Sequence, residues 1–120
     1  MSREFLISVI DDDDSFRVAL VGSLRSLGYE TRGFESAEEF IAEGGSCNCV
    51  VTDLHMPGMS GLELIQRLKA RGSKLPVIMV TGRSDPGLEA KAAAGGAACL
   101  LMKPFEIDAL IGCLNRAQEI

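Results

Sequence analysis

Two kinds of segment alternate along the chain. Phe5-Leu6-Ile7-Ser8-Val9-Ile10 is a short, nearly continuous apolar run, the pattern of a strand buried on both faces. Phe16, Leu20, Leu24 and Leu27 then recur at helical spacing, and Gly28 supplies a stop. Glu30 to Phe34 is a weaker strand. Ser36-Ala37-Glu38-Glu39 has the form of a capping box, and Phe40 and Ile41 give the apolar face of a short helix ended by Gly44-Gly45. Cys49-Val50-Val51-Thr52 is the next strand, stopping at Asp53. Ser60-Gly61-Leu62-Glu63 is a second capping box, opening a helix with a stripe at Leu62, Ile65 and Leu68. Pro76 to Thr81 is the most hydrophobic strand. Asp85-Pro86 predicts an N-cap with proline at the first helical position, starting an Ala-rich helix that ends at Gly95-Gly96. Ala98 to Met102 is the last strand, and Ile107, Leu110, Ile111 and Leu114 mark the last helix.

Strict alternation of five strands and five helices predicts an α/β fold. Its strands are parallel, joined by right-handed crossovers into a doubly wound sheet. With 120 residues and no linker, repeat or low-complexity stretch, residues 1–120 are expected to form a single domain. In such sheets, ligands bind at the carboxyl ends of the strands. That rule gathers a set of residues scattered along the chain. The first strand ends in Asp11-Asp12, the third in Asp53 and the fourth in Thr81, and the fifth is followed at once by Lys103-Pro104.

Charge sharpens the picture. The formal net charge is -5, from 17 acidic and 12 basic residues, which argues against direct nucleic-acid binding by this segment and favours a cation site. Three clustered carboxylates repel one another by about 1–4 kcal/mol per pair at about 4 Å. A hard divalent cation relieves this, and Mg²⁺ takes carboxylate and carbonyl oxygens while leaving positions for phosphate. A lysine opposite the acids supplies a point charge for an anion, and a threonine hydroxyl can donate to a phosphoryl oxygen. Together the groups suit phosphoryl transfer onto an aspartate, with Asp53 as nucleophile.

Four segments carry a family resemblance. Val9-Ile10-Asp11-Asp12, Val50 through Gly61 (VVTDLHMPGMSG), Val80-Thr81-Gly82 and Lys103-Pro104-Phe105 together resemble the receiver domain of bacterial two-component response regulators, over Phe5 to about Leu114. The wording of the later segments is most similar to receivers of nitrogen-fixation-type (FixJ-like) regulators, which precede a helix-turn-helix output domain. The resemblance implies a flavodoxin-like strand order of 2-1-3-4-5. It implies that Asp53 accepts a phosphoryl group from a phosphohistidine on a sensor histidine kinase. Asp12, Asp53 and the backbone carbonyl of His55 would bind Mg²⁺ (or Mn²⁺) directly and Asp11 through water, while Thr81 and Lys103 contact the phosphoryl oxygens. Pro104 would follow a cis bond, and Pro57 and Gly61 would shape the loop after Asp53. Phosphorylation would then switch the surface of the fourth helix, last strand and last helix, which would form a homodimer or control an output domain. The family catalyses only its own phosphorylation and dephosphorylation and is not otherwise an enzyme. One departure stands out: Leu100 occupies the switch position where many receivers carry an aromatic residue.

The same residues admit other readings. Asp13 and Asp14 are expected at the helix start, Asp13 toward solvent and Asp14 capping or opening the helix. The His55 ring is expected to project outward near the site. The run Asp11-x-Asp13-x-Ser15 mimics an EF-hand loop, but Phe16 stands where glycine is needed and Gly22 where a bidentate glutamate is needed. It also mimics the start of a haloacid-dehalogenase-like phosphatase with Asp11 as nucleophile, a reading that leaves Asp53 to Pro57 unexplained. A stand-alone receiver acting through protein contact alone is a further alternative. Cys47, Cys49, Cys99 and Cys113 lack zinc spacing and are expected as buried or half-buried reduced thiols. With no membrane span and no signal peptide expected, the location inferred is cytoplasmic.

Overall fold

The computed structural model describes residues 5–43, 46–83 and 86–118. The elements run β1 (Leu6–Ile10), α1 (Asp14–Ser26), β2 (Glu30–Phe34), α2 (Ala37–Ala42), β3 (Cys49–Asp53), α3 (Gly61–Ala70), β4 (Val77–Thr81), α4 (Leu88–Gly95), β5 (Cys99–Met102) and α5 (Ile107–Gln118). The strands form one sheet in the order β2-β1-β3-β4-β5, and every neighbouring pair is parallel. The expected doubly wound α/β fold and its strand order are both present.

Each strand splits its side chains between two cores because successive residues point to opposite faces. Ile7, Val9, Cys49, Val51, Ile78 and Val80 meet α1 and α5 on one side. Ile10, Val50, Val77 and Met79 meet α2, α3 and α4 on the other. The central strands β3 and β4 are buried along their whole length, which is why they read as continuous apolar runs. Strand β2 lies at the sheet edge and buries only Thr31 and Phe34, so its pattern is weaker.

Helix starts refine the sequence expectations. Asp13, not Asp14, caps α1: its carboxylate accepts the Phe16 N–H at 3.1 Å, and Asp14 is the first helical residue. Ser60 and Glu63 form a complete capping box on α3, whereas Ser36 makes only the half in which its hydroxyl accepts the Glu39 N–H. The buried apolar side chains of α3 are Leu64, Ile65 and Leu68, with Leu62 half-buried, so the stripe is rotated from the one expected. Helix α4 starts at Leu88, with Gly87 as its N-cap at φ 77°, so Pro86 does not hold the first helical position. Asp85 and the Gly44-Gly45 stop lie outside the described residues.

Candidate phosphoacceptor site

The parallel sheet delivers the carboxyl ends of β1, β3 and β4 to one edge. Asp11 follows β1 and is wholly buried. Its backbone N–H donates to the Phe34 carbonyl at 3.0 Å, extending the β1–β2 ladder by one step and fixing where its side chain begins. One Asp11 oxygen, Oδ1, accepts the Asp13 N–H at 2.9 Å, and the other, Oδ2, receives Lys103 Nζ at 2.8 Å. Asp53 ends β3 and is buried. Its Oδ1 lies 3.6 Å from the same Lys103 Nζ. Asp12 is exposed. One carboxylate oxygen from each of Asp11, Asp12 and Asp53 lies within 4.8 Å of the others.

Such an arrangement leaves the acid charges only partly compensated. Burial pushes the Asp53 carboxyl above its ordinary range, and the Asp11 and Asp12 charges push the same way against the pull of Lys103. For Lys103, burial works against the charged form, but the hydrogen bond and charge of Asp11, with Asp53 behind them, override it and raise its pKa. Its ammonium also lies 4.1 Å from the centre of the Phe16 ring, a cation–π contact that holds it from below. The peptide bond between Lys103 and Pro104 is cis, and the Lys103 N–H donates to the Thr81 carbonyl at 2.8 Å. Oxygen donors alone, in a cluster with excess negative charge, are the donor set that fits Mg²⁺ or Mn²⁺.

Thr81 and His55 complete the surroundings. The Thr81 hydroxyl is buried and sits 3.3 Å from His55 Nδ1. It also accepts the Arg83 N–H at 3.1 Å. Its hydroxyl thus faces the histidine and the following loop, while its backbone carries Lys103. The His55 ring correspondingly leans over the end of β4, where the sequence suggested an outward projection.

A family described as the response regulator receiver domain matches residues 7–115. The chain is a response regulator receiver domain. It is 41% identical over 117 residues to the transcriptional regulatory protein FixJ of Azorhizobium caulinodans, covering 96% of this chain and 56% of that protein. It is 33% identical over 120 residues to the response regulator protein TmoT of Ectopseudomonas mendocina, covering 98% of this chain and 54% of that one. The chain thus spans a little over half the length of these curated relatives. Among solved structures, FixJ-N superposes with a TM-score of 0.89 at 33% identity, covering 98% of this chain and 95% of that one. The receiver is of the FixJ-like type found in two-component transcription regulators. Its family is not one of classical enzymes, and the dehalogenase alternative fails on the geometry as well. Both Asp11 oxygens are engaged and the residue has no exposed surface, so it offers no nucleophile. Among the described residues, no helix is long and apolar enough to cross a membrane.

The receiver's loop after Asp53 is shaped by close packing. A Cβ on Gly61 would lie 2.8 Å from the Asp53 carbonyl oxygen and 3.2 Å from Leu54 Cα, so only glycine lets α3 start against the strand end. The Gly61 N–H donates to the Leu54 carbonyl at 3.0 Å. Gly58 turns the loop at φ 78°, and the Met59 N–H beside it donates to the Glu38 carboxylate at 2.9 Å. Pro57, in this loop, is exposed. Leu100 is half-buried in the core on the α3–α4 side, in register with Met79.

Three residues that the sequence pattern does not mark organise the site of this receiver. Phe16 supports Lys103 and meets Phe105 edge-on at 6.0 Å between ring centres. Arg17 donates to the Asp11 carbonyl at 2.7 Å and to the Asp14 carboxylate at 2.6 Å, clamping α1 to the end of β1. Glu38 braces the β3–α3 loop from α2. Only the Asp14–Arg17 helical spacing was a signal in the sequence; the other contacts join segments far apart.

Proposed function

We propose that this receiver accepts a phosphoryl group on Asp53 from a phosphohistidine on a sensor histidine kinase, with Mg²⁺ as cofactor, and that the modification switches the α4–β5–α5 surface to control an output domain or partner. The observation that carries the reading is the single ammonium of Lys103, 2.8 Å from Asp11 and 3.6 Å from Asp53, beside three carboxylates drawn within 4.8 Å.

In this reading, an Asp53 oxygen bonds to phosphorus in line as the phosphorus–nitrogen bond of the donor breaks. Lys103 already faces the acceptor oxygen and so offsets charge on the incoming group without reorganising. Asp11 does not react; its Oδ2 holds Lys103 in place while its Oδ1 accepts the Asp13 N–H. Mg²⁺, held by Asp12, Asp53 and the His55 carbonyl with Asp11 behind them, would supply charge neutralisation at the phosphoryl oxygens. Thr81 then exchanges its contacts with His55 and Arg83 for a phosphoryl oxygen. That exchange is the differential contact that biases the surface formed by α4, β5 and α5. Leu100 has no ring to move between pocket and surface, so the coupling to output is either weaker than in receivers with an aromatic there or runs through α4 and the loop before it.

The test is incubation with a small phosphodonor and Mg²⁺, followed by intact mass. The wild-type chain gains about 80 Da, one phosphoryl group, and chelation of the metal suppresses the gain. Incorporation that persists in Asp53→Asn overturns the assignment of the acceptor.

A further inference from the structure

The four cysteines take no part in the chemistry above. Cys99 opens β5 at the end of the sheet opposite Lys103, and Cys113 lies on α5, which packs over that strand. The Arg116 guanidinium, one turn further along α5, donates to both sulfurs from a single nitrogen, Nη2, at 3.1 Å to Cys99 and 3.4 Å to Cys113. One nitrogen touching both sulfurs holds the two thiols side by side. They are not equivalent. Cys99 is half-buried, whereas Cys113 is 2% exposed. Burial pushes the Cys113 thiol up to about 11, and the neighbouring Cys99 pushes it the same way. Cys49, in the same core, is pushed up to about 12, first by burial and then by the neighbouring Cys47, Cys99 and Cys113. A cation against the sulfur of a half-buried cysteine, with a second thiol beside it, is the environment of an attacking and resolving cysteine pair.

We propose that Cys99 and Cys113 form an oxidisable dithiol, in which hydrogen peroxide oxidises Cys99 and Cys113 resolves the product to an intramolecular disulfide between β5 and α5. In the first step, the Cys99 thiolate attacks a peroxide oxygen. A sulfur–oxygen bond forms, the oxygen–oxygen bond breaks, and the released hydroxide takes a proton to leave as water. Sulfur is oxidised by two electrons and the peroxide is reduced. In the second step, Cys113 attacks the Cys99 sulfenic sulfur. The sulfur–sulfur bond forms, the sulfur–oxygen bond breaks, and a second water leaves with the Cys113 proton. The Arg116 guanidinium lies against the Cys99 sulfur at 3.1 Å throughout the first step. The proposal does not depend on phosphorylation of Asp53, since the dithiol lies at the other end of β5.

The experiment treats the 120-residue chain with hydrogen peroxide under non-reducing conditions and maps the thiols by alkylation and peptide mass. The expected result is a monomer lighter by about 2 Da, with Cys99 linked to Cys113 and both Cys47 and Cys49 still alkylated. In Cys113→Ser, a dimedone adduct accumulates at Cys99; in Cys99→Ser, Cys113 stays unmodified at the same peroxide concentration. Arg116→Gln slows the oxidation of Cys99 by about fivefold or more, and Arg116→Lys restores part of the rate, since a point charge keeps some of the effect. The wild-type map decides the matter even where a cysteine variant fails to fold. A disulfide between Cys47 and Cys49, an intermolecular product, or an unchanged rate in Arg116→Gln overturns the proposal.

Discussion

Removing the Asp53 charge should stabilise the folded receiver at neutral pH, although it removes the residue proposed to react. Asp53 faces two other carboxylates within 4.8 Å and shares one ammonium that lies closer to Asp11, at 2.8 Å against 3.6 Å. A like-charge pair at about 4 Å costs about 1 kcal/mol in water and about 4 kcal/mol at an effective dielectric of 20. Lys103 cancels roughly one of the two repulsions on Asp53. One repulsion and the burial of the charge are left, so Asp53→Asn should gain about 1–3 kcal/mol. The sign in pH follows from the direction of the shift. Burial first, then Asp11, raises the folded-state pKa of Asp53 above its unfolded value. Its ionisation therefore opposes folding fully above the folded pKa and not at all below the unfolded one. Urea unfolding of both proteins, in steps from about pH 7.5 down to about pH 4, reads the difference directly. The gain should be full at the upper end and shrink as the pH falls. Mg²⁺ at about ten times its dissociation constant adds about 1.4 kcal/mol to a protein that binds it. It should therefore narrow the gap at neutral pH by stabilising the wild type more. An Asp53→Asn protein less stable than wild type at pH 7.5, or a gain that does not change with pH, refutes the reasoning.

Lys103→Met leaves the wholly buried Asp11 without its cation and should cost about 2–4 kcal/mol in urea unfolding, below the full value for a buried pair because the lysine side chain is 19% exposed. Gly61→Ala drives a methyl to 2.8 Å from the Asp53 carbonyl oxygen, backbone that cannot yield, and should cost about 2–3 kcal/mol; a loss under about 0.5 kcal/mol contradicts the packing argument. Asp13→Ala removes the α1 cap and should cost about 1 kcal/mol with little pH dependence near neutrality, whereas Asp14→Ala, which cannot act as the cap, should cost less.

What the sequence made legible is what depends on local order. Strands β3 and β4 were readable because burial on both faces demands an unbroken apolar run. The Asp11, Asp53 and Lys103 cluster followed from one topological rule, that parallel strands bring their carboxyl ends to one edge. Side-chain direction was not readable. Thr81 and Lys103 are backbone neighbours across the sheet, yet the Thr81 hydroxyl turns to His55, because β4 and the β3–α3 loop meet there in space only. Phe16 belongs to the helical stripe of α1; that its ring lies beneath Lys103 depends on how the chain returns after β5.

The thiol pair shows the same limit from the other end of the sheet. Cys113 and Arg116 sit three apart, a spacing that puts them on one helix face in any reading of α5. Cys99 gains meaning only once β5 is paired with β4 in the register Ile78 to Cys99 and α5 is laid on that face. A residue's partner along a helix is written in its neighbours, whereas its partner across a crossover is fixed by strand order. Strand order here gathers carboxylates and an ammonium at one end of the sheet, and places a cysteine at the start of both β3 and β5 at the other. The two chemistries therefore share β5, whose first residue is Cys99 and whose end leads directly into Lys103.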